Sequence, residues 1–307
     1  MASPGWRMFR CTSEPLAGCF FRRWGVWGRR WSGKVGLVGA CVLVLNRTGV
    51  WAEPLEGGAS KPNMREPNRR VLQALRGVSD GGGYAVSSSA FVALRGAVRS
   101  KGGTDGELEV LEDSARPSFC SGATYLVFLR ALQRLVPDKM RGQPMVRALM
   151  VRGQPDGTGV WGRWNANGPG TAVFFLQTGL GTNFEELEKA EPGDFLKIFW
   201  NDSVGAGERG HSVVYLGRRG TGEEAEIHFW SSNQPAGYGA KWVPLSRVRH
   251  LLFSRLERPE NIRRILEMPV SDPYLGKLSS GNSDWAELER ILWGRGDGGT
   301  GGKSGER

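Results

Sequence analysis

Apolar residues recur at three- and four-residue spacing between Ser118 and Val136, where Leu126, Leu129, Leu132 and Val136 predict a helix that Pro137 stops. Two shorter helices are predicted before it: Arg69 to Val78, with Val71, Leu72 and Leu75 on one face, and Ser87 to Val98. Leu108 to Leu111 alternates with acids and reads as a strand. A further helix is expected near Asn183 to Ala190. Beyond it come strand-like runs at Phe195 to Trp200, His211 to Leu216, Ala225 to Trp230, Lys241 to Leu245 and Leu251 to Leu256. Short turns separate most of these runs, which predicts an antiparallel meander. Helices first and strands afterwards imply an α+β domain rather than a βαβ alternation.

The segments between periodic stretches set the expected boundaries. Polar, proline-containing sequence predicts a linker over 53–68, followed by a folded domain over 69–293. A last helix is expected within Asp284 to Trp293, and residues 294–307 read as a flexible tail. Residues 152–171, dense in Gly, Asn and Pro, read as a long loop presenting Trp161 and Trp164. Those two tryptophans are candidate substrate-binding residues, with burial over the core as the alternative.

The chain has 307 residues, 39% of them hydrophobic and 23% charged, enough for one sizeable core. Its net charge of +10 invites a nucleic-acid reading until the charges are located. Residues 1–52 hold eight Lys or Arg against the single acid Glu14, leaving 33 basic and 30 acidic residues in the remainder. The near balance excludes nucleic acid as an expected partner. The leading segment has the order of a secretory signal peptide: basic residues to Lys34, an apolar run of 11 residues from Val35 to Leu45, then small Ala52. That run is shorter than the roughly 20 residues a membrane-spanning helix needs, so no stable span is expected. The expected location is secreted or periplasmic.

Cleavage after Ala52 would remove Cys11, Cys19 and Cys41 and leave Cys120 as the only thiol. No internal disulfide is then available, and an unpaired thiol in an oxidising compartment is a candidate nucleophile. Cys120 lies in the first turn of the strongest predicted helix, with Ser118 as expected cap, where unpaired amides and the helix dipole favour thiolate. The amides near Cys120 and Ser121 could also hold the oxyanion of an attacked carbonyl.

A thiolate is served by a base that later protonates the leaving group, and only His211, His228 and His250 are available. His211 opens an apolar strand after a glycine-flanked loop. Strand parity decides the third residue: an odd register brings His228 to the face of His211, and an even one brings Ser231 or Asn233. His228 is the first choice for the orienting group, with Asn233 as the alternative. The loop from Gly205 to Gly210 matches a dinucleotide-binding pattern by letter but leads into a strand, not a helix. No zinc-ligand spacing is present, and neither metal nor cofactor is expected.

Cys120-Ser121-Gly122, Pro192-Gly193-Asp194, Gly210-His211-Ser212-Val213-Val214-Tyr215-Leu216-Gly217 and Ile227-His228 follow one another in this order. Across residues 108–257 the chain resembles the NlpC/P60 cysteine peptidase superfamily and its CHAP relatives. Phe119 stands where many members have Asp, and Arg141 to Gly181 forms a long insertion. The resemblance implies a papain-like fold, with the nucleophile at a helix N-terminus packed on an antiparallel sheet. It also implies Cys120 as nucleophile, His211 as base, His228 as orienting residue, and hydrolysis of amide bonds in peptidoglycan peptides. Two rival expectations are a non-catalytic binding module reading glycan or peptide through Trp161, Trp164 and Trp242, and a thioester-forming acyltransferase.

Overall fold

The computed structural model describes residues 64–102, 106–153, 156–208 and 210–295. The expected signal peptide, its three cysteines and nearly all of the expected tail lie outside the described residues.

The first half is mostly helical: α1 (Glu66–Leu75), the two-residue strand β1 (Gly81–Gly82), α2 (Ser88–Ala97), the hairpin β2 (Val98–Lys101) and β3 (Glu107–Val110), then α3 (Cys120–Leu135). The stretch expected as an insertion and long loop folds into α4 (Gln143–Leu149), α5 (Gly159–Trp164) and α6 (Gly170–Thr178). Strands β4 (Gly181–Phe184), β5 (Phe195–Phe199), β6 (Val204–Gly205), β7 (His211–Arg219), β8 (Glu226–Asn233), β9 (Gly237–Pro244) and β10 (His250–Leu256) follow. Helix α7 (Pro273–Lys277), β11 (Asn282–Ser283) and α8 (Trp285–Trp293) close the described chain. The architecture is α+β.

Seven strands form one antiparallel sheet in the order β1-β9-β8-β7-β5-β10-β4. The expected meander holds for β7, β8 and β9, whereas β10 returns to the far side of β5. Helix α3 is buried nearly all round, from Ser121 to Leu129 and again at Ala131 and Leu132, as a helix packed on several sides must be. Its core includes Phe195, Val214 and Trp230 from the sheet, while Leu196, Ile198, Val213, Tyr215 and Phe229 form a second core.

Several boundaries differ from expectation for identifiable reasons. The linker ends earlier, because Glu66 and Pro67 start α1 and Asn68 is buried. The helix expected near Asn183 to Ala190 is instead β4 and a single 3₁₀ turn, Leu187–Lys189. There the backbone of Gly181–Phe184 pairs with β10, and Asn183 accepts from Ser254 Oγ at 2.8 Å. Tertiary pairing overrides local pattern at this site. Ser87 caps α2 by accepting from the Ala90 amide, and Asp284 caps α8 by accepting from that of Glu287. No helix among the described residues is long and apolar enough to cross a membrane.

Candidate active site

Cys120 is the first residue of α3 and is half-buried. Phe119 holds the capping position in extended conformation and its side chain caps nothing. The amides of the first turn therefore have no capping side chain as acceptor. Ser118, the expected cap, turns the other way and donates its hydroxyl to Ser232 Oγ at 2.7 Å on β8. Gly122 lets α3 approach α2, since a Cβ there would stand 3.0 Å from Leu94 Cδ2.

A short strip of backbone ties the start of α3 to the sheet. Ser118 donates to the Gly83 carbonyl at 3.1 Å and accepts from the Ala85 amide at 2.9 Å. The same strip donates from Gly83 to Ala236 and from Tyr84 to Pro235, at 2.9 and 3.0 Å. It thus joins the residue two before Cys120 to the turn that follows Asn233.

His211, the first residue of β7, and the Ser212 amide lie beside the Cys120 sulfur, where both favour its thiolate. Burial pushes the Cys120 thiol up, but the His211 hydrogen bond and charge, the Lys197 ammonium and the Ser212 amide outweigh it and bring the thiol down to about 7. Tyr84, on the facing strip, moves the opposite way: burial and then the negative charge of Cys120 push its phenol up to about 12.

The residue that the structure places against the His211 ring is Asn233, not His228. Val214 lies opposite Trp230 and Tyr215 opposite Phe229, an even register that sets Asn233 against His211 when carried to the strand ends. Asn233 Oδ1 is 3.1 Å from His211 Nε2. Its amide nitrogen donates to the carbonyls of Ser231 and Gly239, at 3.3 and 2.7 Å. The amide is therefore held with oxygen toward the ring, so Nε2 carries the hydrogen and Nδ1 is left to face the thiol. Phe229 closes against the imidazole edge, with ring centroids 5.5 Å apart.

A bulge between Tyr215 and Gly217 shifts the register and places His228 opposite Gly217. There its ring stacks on Trp242, centroids 4.3 Å apart, and the Arg219 guanidinium lies 4.1 Å from the same indole centroid. Burial, then the Arg219 charge, pushes the His228 imidazole below its ordinary value. His250 stacks on Trp285 and bonds Asp202 on the surface.

Trp161 and Trp164 are each 1% exposed and belong to the core, correcting their expected role in binding substrate. Trp164 stacks on Phe128 at 4.6 Å and donates from Nε1 to the Ser121 carbonyl at 3.1 Å. Trp161 packs on Phe91, Phe119 and Tyr125. They support helix α3 from behind.

The cleft in front of Cys120 has a volume of about 650 Å³. One wall is apolar, with Tyr84, Phe91, Val92 and Phe119, and the other carries Asn165, Lys197 and Glu208. The Ser121 hydroxyl donates to Asn165 Oδ1. Lys197 went unread although it is the lone charge in an apolar strand, and nothing in the local sequence points to Asn165 or Glu208. The Pro192-Gly193-Asp194 motif is structural: Asp194 is wholly buried and accepts from Asn68 Nδ2, the Glu191 amide and two nitrogens of Arg255. Gly193 has φ +98° and lies so close to Asn68 that a Cβ would stand 2.6 Å from its carbonyl oxygen.

Compared with protein-family models, with curated proteins and with solved structures, the chain matches none.

Proposed function

We propose that this protein is an exported thiol hydrolase of papain-like architecture that cleaves amide bonds in peptides, with bacterial cell-wall peptides as its first substrate class. The observation that carries the reading is the position of the His211 ring, beside the Cys120 sulfur on one side and 3.1 Å from Asn233 Oδ1 on the other. A nucleophile, a base and an orienting amide in that order are what acyl transfer through a thioester requires.

In this mechanism His211 takes the Cys120 proton and the thiolate attacks the peptide carbonyl. The oxygen that becomes negative lies against the uncapped amides at Cys120 and Ser121. His211 then protonates the departing amine, and water, deprotonated by the same ring, releases the acyl group and restores the thiol. The export leader read from residues 1–52 and the resemblance to cell-wall peptidases support the choice of substrate. The rival binding-module reading called on Trp161, Trp164 and Trp242, and it loses the first two to burial in the core.

The test is to incubate the protein with purified cell-wall sacculi and to follow new amino termini, with Cys120→Ala in parallel. Release by the wild type alone is expected. Equal release by both would reject Cys120 as nucleophile, and release by neither would reject this substrate class.

A further inference from the structure

A buried ion pair forms part of the cleft wall beside Cys120. Lys197 interrupts the apolar strand Phe195–Phe199 and lies opposite Ser212, whose amide reaches the Cys120 sulfur. Lys197 Nζ is 3.1 Å from Glu208 Oε1, with the two side chains 14% and 2% exposed. The ammonium also lies 5.8 Å from the Phe199 ring centroid. Glu208 is fixed at its other oxygen, which accepts from the Gly168 amide at 2.7 Å. The backbone is shaped around this pair, because a Cβ on Gly210 would run into Glu208 Oε1 and stand 2.4 Å from the Ile198 carbonyl oxygen.

Burying two charges costs desolvation that their attraction barely repays, and apolar residues of similar volume would serve stability as well or better. The pair also sits in the wall of the one cleft that holds the candidate nucleophile. We propose that Lys197, held in place by Glu208, is a positioning residue that sets the thiolate population of Cys120. The inference rests on the reading of Cys120 as the nucleophile. The titratable groups around the sulfur are His211 on β7, Lys197 on β5, Glu208 in the loop before β7, and Tyr84 on the facing strip. Of these, His211 and Lys197 pull the thiol down against burial. His211 must move its proton during turnover, whereas Lys197 supplies a charge that stays.

The experiment measures alkylation of Cys120 by iodoacetamide in the full chain over a pH series bracketing about 7. Peptide mass spectrometry resolves Cys120 from Cys11, Cys19 and Cys41. The double variant Lys197→Met with Glu208→Gln removes both charges while keeping the volume, so no unpaired ion is left to unfold the protein. Its alkylation midpoint is expected to rise by about 0.5–1 pH unit, or about three- to tenfold slower alkylation at a fixed acidic pH. Lys197→Arg, which keeps the charge and the pair, should leave the midpoint at the wild-type value. A midpoint that rises in the double variant and not in Lys197→Arg is not produced by general loosening of the cleft. An unmoved midpoint in the double variant, or an equal rise in Lys197→Arg, would overturn the inference. The assay contains no amide substrate. A chain that hydrolyses nothing can still show the shift, and one that hydrolyses peptides without it loses only the role of Lys197.

Discussion

Asn233 Oδ1 lies 3.1 Å from His211 Nε2, and the nitrogen of the same amide is spent on two main-chain carbonyls. One tautomer of His211 is thereby selected, with its lone pair on the side of Cys120. Replacing Asn233 by Ala frees the ring to rotate and to exchange tautomers. Amide hydrolysis should fall about 10- to 100-fold, near the low end of what a positioned base contributes. His228→Ala should leave the rate within about twofold, since that ring stacks on Trp242 instead. Steady-state rates of both variants on one peptide substrate check the pair, and the reverse order would reassign the orienting residue.

The pH dependence follows from a thiol brought down to about 7. Below that value Cys120 is protonated and weakly nucleophilic, and above it the thiolate predominates. The acid limb of kcat/KM, which reports the free protein, should therefore have its midpoint near 7. His211→Ala removes the two largest of the contributions that bring the thiol down, and alkylation of Cys120 at neutral pH should fall at least about tenfold. An alkylation rate that His211→Ala leaves unchanged would separate the ring from the sulfur.

Trp164 is predicted to act on stability. It stacks on Phe128 and donates to the Ser121 carbonyl one residue beyond Cys120. Trp164→Ala should destabilise the protein by about 3–5 kcal/mol in urea unfolding. A variant that keeps its unfolding midpoint but raises KM would return this residue to a binding role.

Arg255→Met leaves the Asp194 carboxylate buried without its main partner. Breaking such a pair from one side costs about 3–5 kcal/mol. Chemical denaturation should show that loss, and a change below about 1 kcal/mol would mean that Asn68 and the Glu191 amide satisfy the carboxylate on their own.

What could be read from the amino acids alone was governed by the range of the interactions involved. The place of Cys120 in the first turn of α3 and the strands from β5 onward were mostly legible, because helical and alternating periodicities are local. The choice between His228 and Asn233 was not. Both parities fitted the pattern, and the outcome was set by where a bulge falls, between Tyr215 and Gly217. Trp161 and Trp164 misled because glycines and asparagines around them signal a loop, whereas their rings fold α5 down onto Tyr125 and Phe128. Glu208 and Asn165 carry no local signature, since their meaning lies in partners 11 and 44 residues away, Lys197 and Ser121.

The strip from Gly83 to Ala85 clasps the approach to the sulfur with one edge and the bend beyond the orienting amide with the other. Segments separated by more than a hundred positions are thus registered against a common splint. The spacing between the start of α3 and the bend after Asn233 is held by main-chain bonds, so exchange of exposed side chains nearby can proceed without pulling the two apart.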